Sequence, residues 1–150
     1  MKRVFLFLAG IVALICVAAV SSQASTKAKA APEIEIVVDI SSQSMTVDVN
    51  GWPYGRWKVS TAREGYYTPR GSWRPFQLKE MHYSRKYDNS PMPHSIFFLG
   101  GYAIHATDYT KQLGKPASHG CIRLHPRHAE RLYKLVQRHG MKATRVTIVN

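Results

Sequence analysis

The residues of this chain best suited to chemistry are Cys121, His119 beside it, and His105 upstream. Cys121 and His119 belong to the run 118–124, Ser-His-Gly-Cys-Ile-Arg-Leu. A thiol becomes a nucleophile when a base such as imidazole removes its proton. Attack on a carbonyl creates an oxyanion that main-chain N–H groups stabilise, and a tight turn that aims them inward favours a residue without a Cβ, such as Gly120. The run therefore predicts nucleophilic catalysis by a cysteine.

Two other interpretations of the same residues stay open at this level. His105, His119 and Cys121 are all types that bind metals, although the chain has neither a cysteine pair nor a His-Glu-x-x-His spacing. Alternatively, Cys121 is a small buried side chain and the histidines are structural. The cysteine count argues against this last interpretation. The other cysteine, Cys16, lies in an N-terminal apolar run, and a lone thiol is unusual in an exported protein.

Residues 1–24 have the pattern of a secretory signal peptide. Lys2 and Arg3 precede the apolar run 4–20, and Ala24 ends a short stretch that a signal peptidase can cleave. The apolar run of about 17 residues is at the short limit for spanning a bilayer, so an uncleaved anchor is the alternative. We therefore expect an exported protein.

The composition is strongly basic. The chain has 21 Lys and Arg against 9 Asp and Glu, a formal net charge of +12, which becomes +10 when Lys2 and Arg3 are removed. Such a surface favours anionic polymers or a membrane face as partners. Nucleic acid is not expected, because the protein is predicted to be exported and carries no nucleic-acid-binding motif. The alternative is a soluble basic enzyme without a polymeric partner.

The elements that must position the chemical residues are mostly short strands. After a short linker at 25–32, residues 33–150 form a single domain. Apolar and β-branched patterns predict strands at 34–40, 45–49, 52–60, 96–99, 102–104 and 146–149. Asn50-Gly51 and Gly100-Gly101 predict hairpin turns, whereas 77–93 has no clear pattern and is expected to be a long loop.

One helix is predicted between Pro126 and Gly140. Its apolar face consists of Ala129, Leu132, Tyr133 and Val136. A basic stripe on another face, interpreted as solvated surface, consists of Arg127, Arg131, Lys134 and Arg138. The expected fold is mainly β, a β-sandwich or partly closed barrel with this one helix packed against it.

His105 with the run 118–124 resembles the signature of the L,D-transpeptidase (YkuD-type) catalytic domain family. Supporting similarities occur at 36–40 with Gln43, 59–62, 67–71, 101–105 and 113–116. The resemblance covers about 33–150. It implies a bacterial periplasmic or cell-envelope enzyme with a β-rich fold that needs no metal or organic cofactor.

The resemblance also implies a reaction on peptidoglycan stem peptides. The catalytic thiol of this family opens a tetrapeptide donor between its third residue, usually diaminopimelate, and the terminal D-Ala. A thioester forms and D-Ala leaves. An amine acceptor on a neighbouring stem then makes a 3–3 cross-link, while some members use a lipoprotein lysine. Other members use water and act as L,D-carboxypeptidases.

The resemblance assigns roles to individual residues. Cys121 matches the nucleophile and His105 the general base, a pairing that can lower the pKa of a cysteine to roughly 3.5–7.5 and so produce a thiolate at neutral pH. His119 and Gly120 match the oxyanion pocket, where the N–H groups of residues 119–121 are the expected donors.

Two further residues are assigned to substrate binding, Ser118 and Arg123. Ser118 is expected to tie the loop by hydrogen bonding. The planar guanidinium of Arg123 suits a substrate carboxylate, and a structural ion pair is an equal alternative. Either a main-chain carbonyl or Asp108 is expected to orient His105.

The chain departs from the family pattern at two places. Ala106 replaces a frequent Gly after the upstream His, which matters little if only its main-chain oxygen is used. His125-Pro126-Arg127-His128 replaces an Asn followed by an acid. We expect a surface or structural role for His82, His94, His128 and His139, and surface or core packing, more than cleft lining, for Tyr66, Tyr67, Trp73 and Tyr83.

Two alternative functions remain at this level. One is a thiol hydrolase that trims the same stem peptides. The other is a catalytically idle, basic wall-binding protein that keeps the fold. The presence of Cys121, His105 and Gly120 argues against the idle protein, because a decayed enzyme is free to lose them.

Overall fold

Nine strands and one α-helix make up residues 33–150, the part of the chain that the computed structural model describes. The predicted signal peptide 1–24 and linker 25–32 lie outside the described residues. The strands are β1 (Ile34–Asp39), β2 (Ser44–Val49), β3 (Trp52–Ser60), β4 (Gly71–Trp73), β5 (Gln77–Ser84), β6 (Ser90–Leu99), β7 (Tyr102–Ala106), β8 (Ile122–Leu124) and β9 (Thr144–Val149). The helix α1 is Pro126–His139, and short 3₁₀ turns occur at Arg85–Tyr87, Thr110–Gln112 and Met141–Ala143.

The strands form one curled sheet in the order β4-β9-β1-β2-β3-β8-β7-β6-β5. β1 with β9 and β7 with β8 are parallel pairs, and the other neighbours are antiparallel. β3 joins the first four strands in this order to the last four, because it pairs with β2 along most of its length and with β8 through Val59 and Ser60. The predicted fold, mainly β with one helix packed against a partly closed sheet, is confirmed.

Alternation along the strands decides which face enters the core. Ile104 and Ala106 of β7, and Ile122 and Leu124 of β8, are at most 2% exposed and join the core cluster. α1 packs over this face and contacts β6 and β7. Because side chains alternate across a strand, the residues between them point to the opposite face. His105 therefore lies on the face turned away from α1.

The helix has the boundaries that the sequence predicts. Pro126 occupies the first turn, and the imidazole of His125 accepts a hydrogen bond from the main-chain N–H of Arg127. Gly140 ends the helix with φ +93°, a value that L side chains rarely adopt. In residues 33–150, no helix is both long and apolar enough to cross a membrane.

The prediction of a long loop at 77–93 is wrong. These residues form β5 and the first part of β6, paired from Gln77↔Phe97 to Ser84↔Ser90. The alternation is obscured because this hairpin is largely exposed on both faces. Pro91 and Pro93 of β6 are tolerated because β7 pairs with β6 only beyond them, from Ile96 onward. The hairpin lies beside the face that carries His105.

Candidate active site

Two parallel strands bring the candidate catalytic residues together. β7 and β8 are neighbours with His105 opposite Arg123, and Cys121 directly precedes β8. Residues that are distant in sequence thereby share one face of the sheet. The Cys121 side chain packs against an apolar group made of Met92, Phe97 and Ala103.

A cleft of about 740 Å³ covers this face, within the usual range for small-molecule sites. Gly120 is buried within the catalytic loop and does not line the cleft. The other predicted site residues all line it: His105, Ser118, His119, Cys121 and Arg123. The β5–β6 hairpin contributes Tyr83 and Tyr87, and Tyr109 also lines the cleft. The structure thus gathers the predicted set around one cavity.

The ring of His105 is held by the main chain. Its Nδ1 is 2.7 Å from the carbonyl oxygen of Ala106, and the residue is 7% exposed. Because a carbonyl only accepts, Nδ1 carries the proton and Nε2 is left as an acceptor. The main-chain carbonyl, rather than Asp108, therefore orients the imidazole as a base. Ala106 supplies only its oxygen here, so a side chain smaller than alanine is not required.

The pKa shifts of His105 and Cys121 favour an uncharged pair at rest. Burial is the main cause that lowers the pKa of His105 to about 4; the hydrogen bond to Ala106 opposes this shift, and the charges of Arg123 and His82 contribute to it. Burial raises the pKa of the Cys121 thiol above its ordinary value, against the opposing effects of the Ala103 N–H and Arg123. The predicted resting thiolate is therefore disfavoured, since desolvation penalises both charged forms.

Ser118 ties the catalytic loop together. Its hydroxyl donates to the carbonyl of Cys121 at 2.6 Å and accepts from the N–H of Gly120 at 2.9 Å. The residue is 1% exposed. The N–H of Gly120, one of the three expected oxyanion donors, is thus used inside the loop. Those of His119 and Cys121 have no acceptor within the described residues.

Gly120 is required by its surroundings. Its φ is +127°, and an added Cβ would lie 2.7 Å from the carbonyl oxygen of Tyr67 and 2.8 Å from the ring of Tyr102. Neither the backbone nor a packed ring can move away cheaply. The loop can therefore turn tightly against these groups only with glycine at this position.

The imidazole of His119 packs between two tyrosines. It stacks on Tyr87 at a centroid distance of 4.3 Å and meets the edge of Tyr66 at 4.6 Å. Burial, Arg63 and Arg123 lower the pKa of His119. This side chain links the catalytic loop to the tip of the β5–β6 hairpin, so its contribution to an oxyanion site is its main-chain N–H.

Arg123 brings an uncompensated positive charge into the cleft. Its Nη1 lies 3.3 Å from the carbonyl of Ala117 and 3.4 Å from Oε1 of Gln112, both neutral groups. The guanidinium also lies over the ring of Tyr109, 5.9 Å from its centroid. Within residues 33–150, no carboxylate forms an ion pair with it. Of the two expectations for this residue, the geometry favours an exogenous carboxylate.

Sequence reasoning missed several lining residues. His82, expected on the surface, lines the cleft and packs edge-on against Phe97. Tyr87 and Tyr109 were not identified as candidates, and Tyr83 does line the cleft. Recognition of the β5–β6 hairpin would have placed His82, Tyr83 and Tyr87 beside β7.

Other aromatic residues have structural positions, as expected. Trp73 packs on Phe98, His94 on Tyr133 and His128 on Trp57, while His139 contacts Glu33. In the described part of the chain, no three His, Cys, Asp or Glu side chains are grouped as metal ligands. The residues of the metal alternative, His105, His119 and Cys121, are thus not arranged as a ligand set.

The chain is similar to known transpeptidases in sequence profile and in structure. Residues 33–148 match the profile of the L,D-transpeptidase catalytic domain (YkuD). An L,D-transpeptidase from Stackebrandtia nassauensis superposes with a TM-score of 0.70 at 27% identity, over 87% of this chain and 62% of that one. An L,D-transpeptidase from Mycobacterium smegmatis gives a TM-score of 0.70 at 22% identity, over 79% of this chain and 59% of that one.

A third similar structure is L,D-transpeptidase 3 from Mycobacterium tuberculosis with a faropenem-derived adduct, with a TM-score of 0.69 at 21% identity, over 79% of this chain and 61% of that one. The chain thus spans about six tenths of the length of these proteins. No curated protein matches it significantly. Since the profile match covers most of the chain, this protein belongs to the L,D-transpeptidase catalytic domain (YkuD) family.

Proposed function

We propose that the protein is an exported, cysteine-dependent L,D-transpeptidase that acts on peptidoglycan stem peptides. The observation that carries the proposal is the parallel pairing of β7 and β8, which places the imidazole of His105 and the thiol of Cys121 in one cleft. Family membership supports the same reaction class. A similar protein holds a faropenem-derived adduct, which supports a cleft that small molecules can enter.

The geometry supports a general-base mechanism for the first half-reaction. As Cys121 Sγ attacks the carbonyl of the third stem residue, Nε2 of His105 takes the thiol proton. The N–H groups of His119 and Cys121 stabilise the oxyanion of the tetrahedral intermediate. The C–N bond to D-Ala then breaks, His105 returns the proton to the leaving amine, and a thioester remains. Burial disfavours both charged forms, so we expect the charge to separate only in this step.

The second half-reaction reverses these roles. His105 removes a proton from an acceptor amine, which attacks the thioester carbonyl. The tetrahedral intermediate collapses with cleavage of the C–S bond, and the proton returns to Cys121. The product is a 3–3 cross-link, or a link to a protein lysine. These steps use only groups of the chain and its substrates.

The charge of the cleft supports an anionic substrate. Arg85, Lys86 and Arg123 line it against one acidic residue, Asp108. Stem peptides end in a carboxylate, and a guanidinium binds a carboxylate through two parallel hydrogen bonds. We assign Arg123 to the terminal carboxylate of the donor.

Intact mass spectrometry tests the reaction. The purified protein is incubated with disaccharide-tetrapeptide, alone and with an acceptor muropeptide, beside the Cys121→Ala variant as matched control. We expect an acyl-enzyme, free D-Ala and a 3–3 dimer, all absent with the variant. Tripeptide without dimer would instead identify the hydrolase. A folded protein that yields neither adduct nor D-Ala would favour the catalytically idle wall-binding protein.

The exposed face of α1 supports an anionic polymer of the envelope, or a membrane surface, as a further partner. Arg127, Arg131, Lys134 and Arg138 are exposed there, and α1 packs on the face of β6 and β7 opposite the cleft. Binding through this helix would leave the cleft open.

Salt dependence tests this partner. Binding to isolated sacculi is expected to weaken steeply between about 0.1 M and about 0.5 M salt. Arg127→Gln with Lys134→Gln should weaken it more than Lys111→Gln with Lys115→Gln, which removes the same charge elsewhere. Binding that is insensitive to salt would rule the electrostatic partner out.

Export is tested by fractionating cells that produce the protein with and without residues 1–24.

A further inference from the structure

A buried threonine stands directly behind the catalytic loop. Thr68 lies in the segment between β3 and β4, is 3% exposed, and does not line the cleft. Its Oγ1 accepts a hydrogen bond from the N–H of Ala62 at 3.0 Å and donates one to the carbonyl oxygen of Gly120 at 2.8 Å. Because an N–H only donates and a carbonyl only accepts, the direction of both bonds is fixed.

The carbonyl of Gly120 and the N–H of Cys121 belong to the same peptide unit. No cis peptide occurs within residues 33–150, and in a planar trans peptide the two groups point in opposite directions. A bond that fixes the carbonyl therefore also fixes the direction of the Cys121 N–H. A hydrogen bond from a hydroxyl to the carbonyl also polarises the peptide unit, so the N–H of Cys121 becomes a stronger donor.

This peptide unit has little other support. Ser118 holds the N–H of Gly120 and the carbonyl of Cys121, which belong to the peptide units on either side. Gly120 has no side chain, so sterics restrain its rotation weakly. Within the described residues, the Thr68 hydroxyl makes the one hydrogen bond to the unit between Gly120 and Cys121.

We propose that Thr68 is a positioning residue for the oxyanion site. Its hydroxyl holds the Gly120–Cys121 peptide so that the N–H of Cys121 faces the oxyanion during thioester formation. The inference rests on the proposed function, since it concerns acyl transfer to Cys121.

Two probes of different chemistry separate this role from general support of the loop. Acylation of Cys121 by p-nitrophenyl acetate passes through an oxyanion, whereas alkylation by iodoacetamide displaces iodide at a saturated carbon without one. In full-length Thr68→Val, which keeps the shape and removes the hydroxyl, we expect acylation to slow by roughly 10- to 100-fold. Alkylation should stay within about twofold. Thr68→Ser should restore most of the acylation rate.

Thr144→Val is the matched control. Thr144 is fully buried and donates to the carbonyl of Gly140 at 3.0 Å, in β9 and outside the cleft. Thr144→Val should lose a comparable hydrogen bond and leave the acylation and alkylation rates unchanged. Thermal melting shows whether each variant is folded, and Thr68→Ala replaces the valine variant if that one does not fold.

The outcomes separate the possible failures. Acylation and alkylation that fall together in Thr68→Val would reduce Thr68 to a structural support of the loop. Two unchanged rates in a folded variant would overturn the inference. A wild-type protein that is alkylated but never acylated would overturn the proposed function, and this inference with it.

Discussion

Strands β7 and β8 have one face in the core and the other in the cleft, and the two faces differ in composition. The core face is apolar and almost fully buried, as Ile104, Ile122 and Leu124 show. The cleft face carries His105 and Arg123 on the same short strands. The core face holds the backbone rigidly, and this rigidity fixes the spacing of polar groups whose charged forms are disfavoured by burial.

The difference indicates where stability and reactivity reside. Substitutions on the core face should change the free energy of unfolding and leave the chemistry of folded molecules intact. Substitutions on the cleft face should change the chemistry and leave stability nearly intact. Four predictions test this division, in order of decreasing effect.

The largest effect is expected for Cys121→Ala. Removal of the nucleophile should abolish thioester formation, so the release of D-Ala should fall by about 10⁴-fold or more. The thiol is small and only partly buried, so the free energy of unfolding should change by about 1 kcal/mol or less. Acylation followed by mass spectrometry and urea unfolding followed by fluorescence measure the two quantities. Residual acylation at Ser118 or His119 would contradict the assignment of the nucleophile.

The neighbouring residue on the core face should show the reverse pattern. Ile122 is fully buried, so Ile122→Ala should lower the free energy of unfolding by about 2–5 kcal/mol through a lost transfer term and a cavity. Ile122→Val is the control and should cost about 1 kcal/mol. The acylation rate per folded molecule should stay within a few-fold of wild type. A loss above about tenfold would show that the core face also tunes the chemistry.

Much of this division follows from the sequence, and the limits have physical causes. Ile104 and Ile122 lie in apolar runs, so their inward orientation is predictable. The resemblance of His105 and the run 118–124 to the family signature indicates the pair without any structure. The shifted pKa values of that pair depend on burial, to which the β5–β6 hairpin contributes Met92 and Phe97 beside Cys121. The hairpin is exposed and contains Pro91 and Pro93, so its strands have no recognisable period.

Hydrogen bonds between distant segments are also beyond sequence reasoning. The bond from Thr68 to Gly120 joins residues 52 positions apart, and no local pattern encodes it. The donation of the Gly120 N–H to Ser118 is local, yet it competes with the oxyanion role that the same N–H was expected to fill. Which acceptor wins depends on the φ of +127° at Gly120, a conformation set by the packing around the loop.

Acid should destabilise the protein through the cleft face. The folded pKa of His105 is about 4, whereas an unfolded histidine titrates near 6.5. Between pH 6.5 and about pH 4, the histidine is therefore protonated in the unfolded state but not in the folded state. The free energy of unfolding decreases as the pH is lowered through this range. The loss from this residue is about 2 kcal/mol at pH 5 and about 3 kcal/mol below pH 4.

Urea unfolding at pH 7 and pH 5 measures this loss, and His105→Gln is the control. Between pH 7 and pH 5, the free energy of unfolding of the variant should decrease less, by the amount that His105 contributes. The contributions of the other histidines should remain. Equal pH dependence in the two proteins would show that His105 is protonated in the folded state near its ordinary pKa, and the neutral pair would be wrong.

The smallest effect is expected from the charge at the centre of the cleft face. Arg123→Gln removes a guanidinium that has no carboxylate partner within residues 33–150, so KM for a tetrapeptide donor should rise by about tenfold as one carboxylate contact is lost. Because Arg123 lowers the pKa of Cys121, alkylation by iodoacetamide at neutral pH should also slow, by a few-fold. Arg123→Lys keeps the charge and loses the planar fork, so it should restore alkylation but not KM. A KM that recovers fully in Arg123→Lys would mean that the cleft recognises the donor by charge alone, and the cleft face would then be less specific than its geometry indicates.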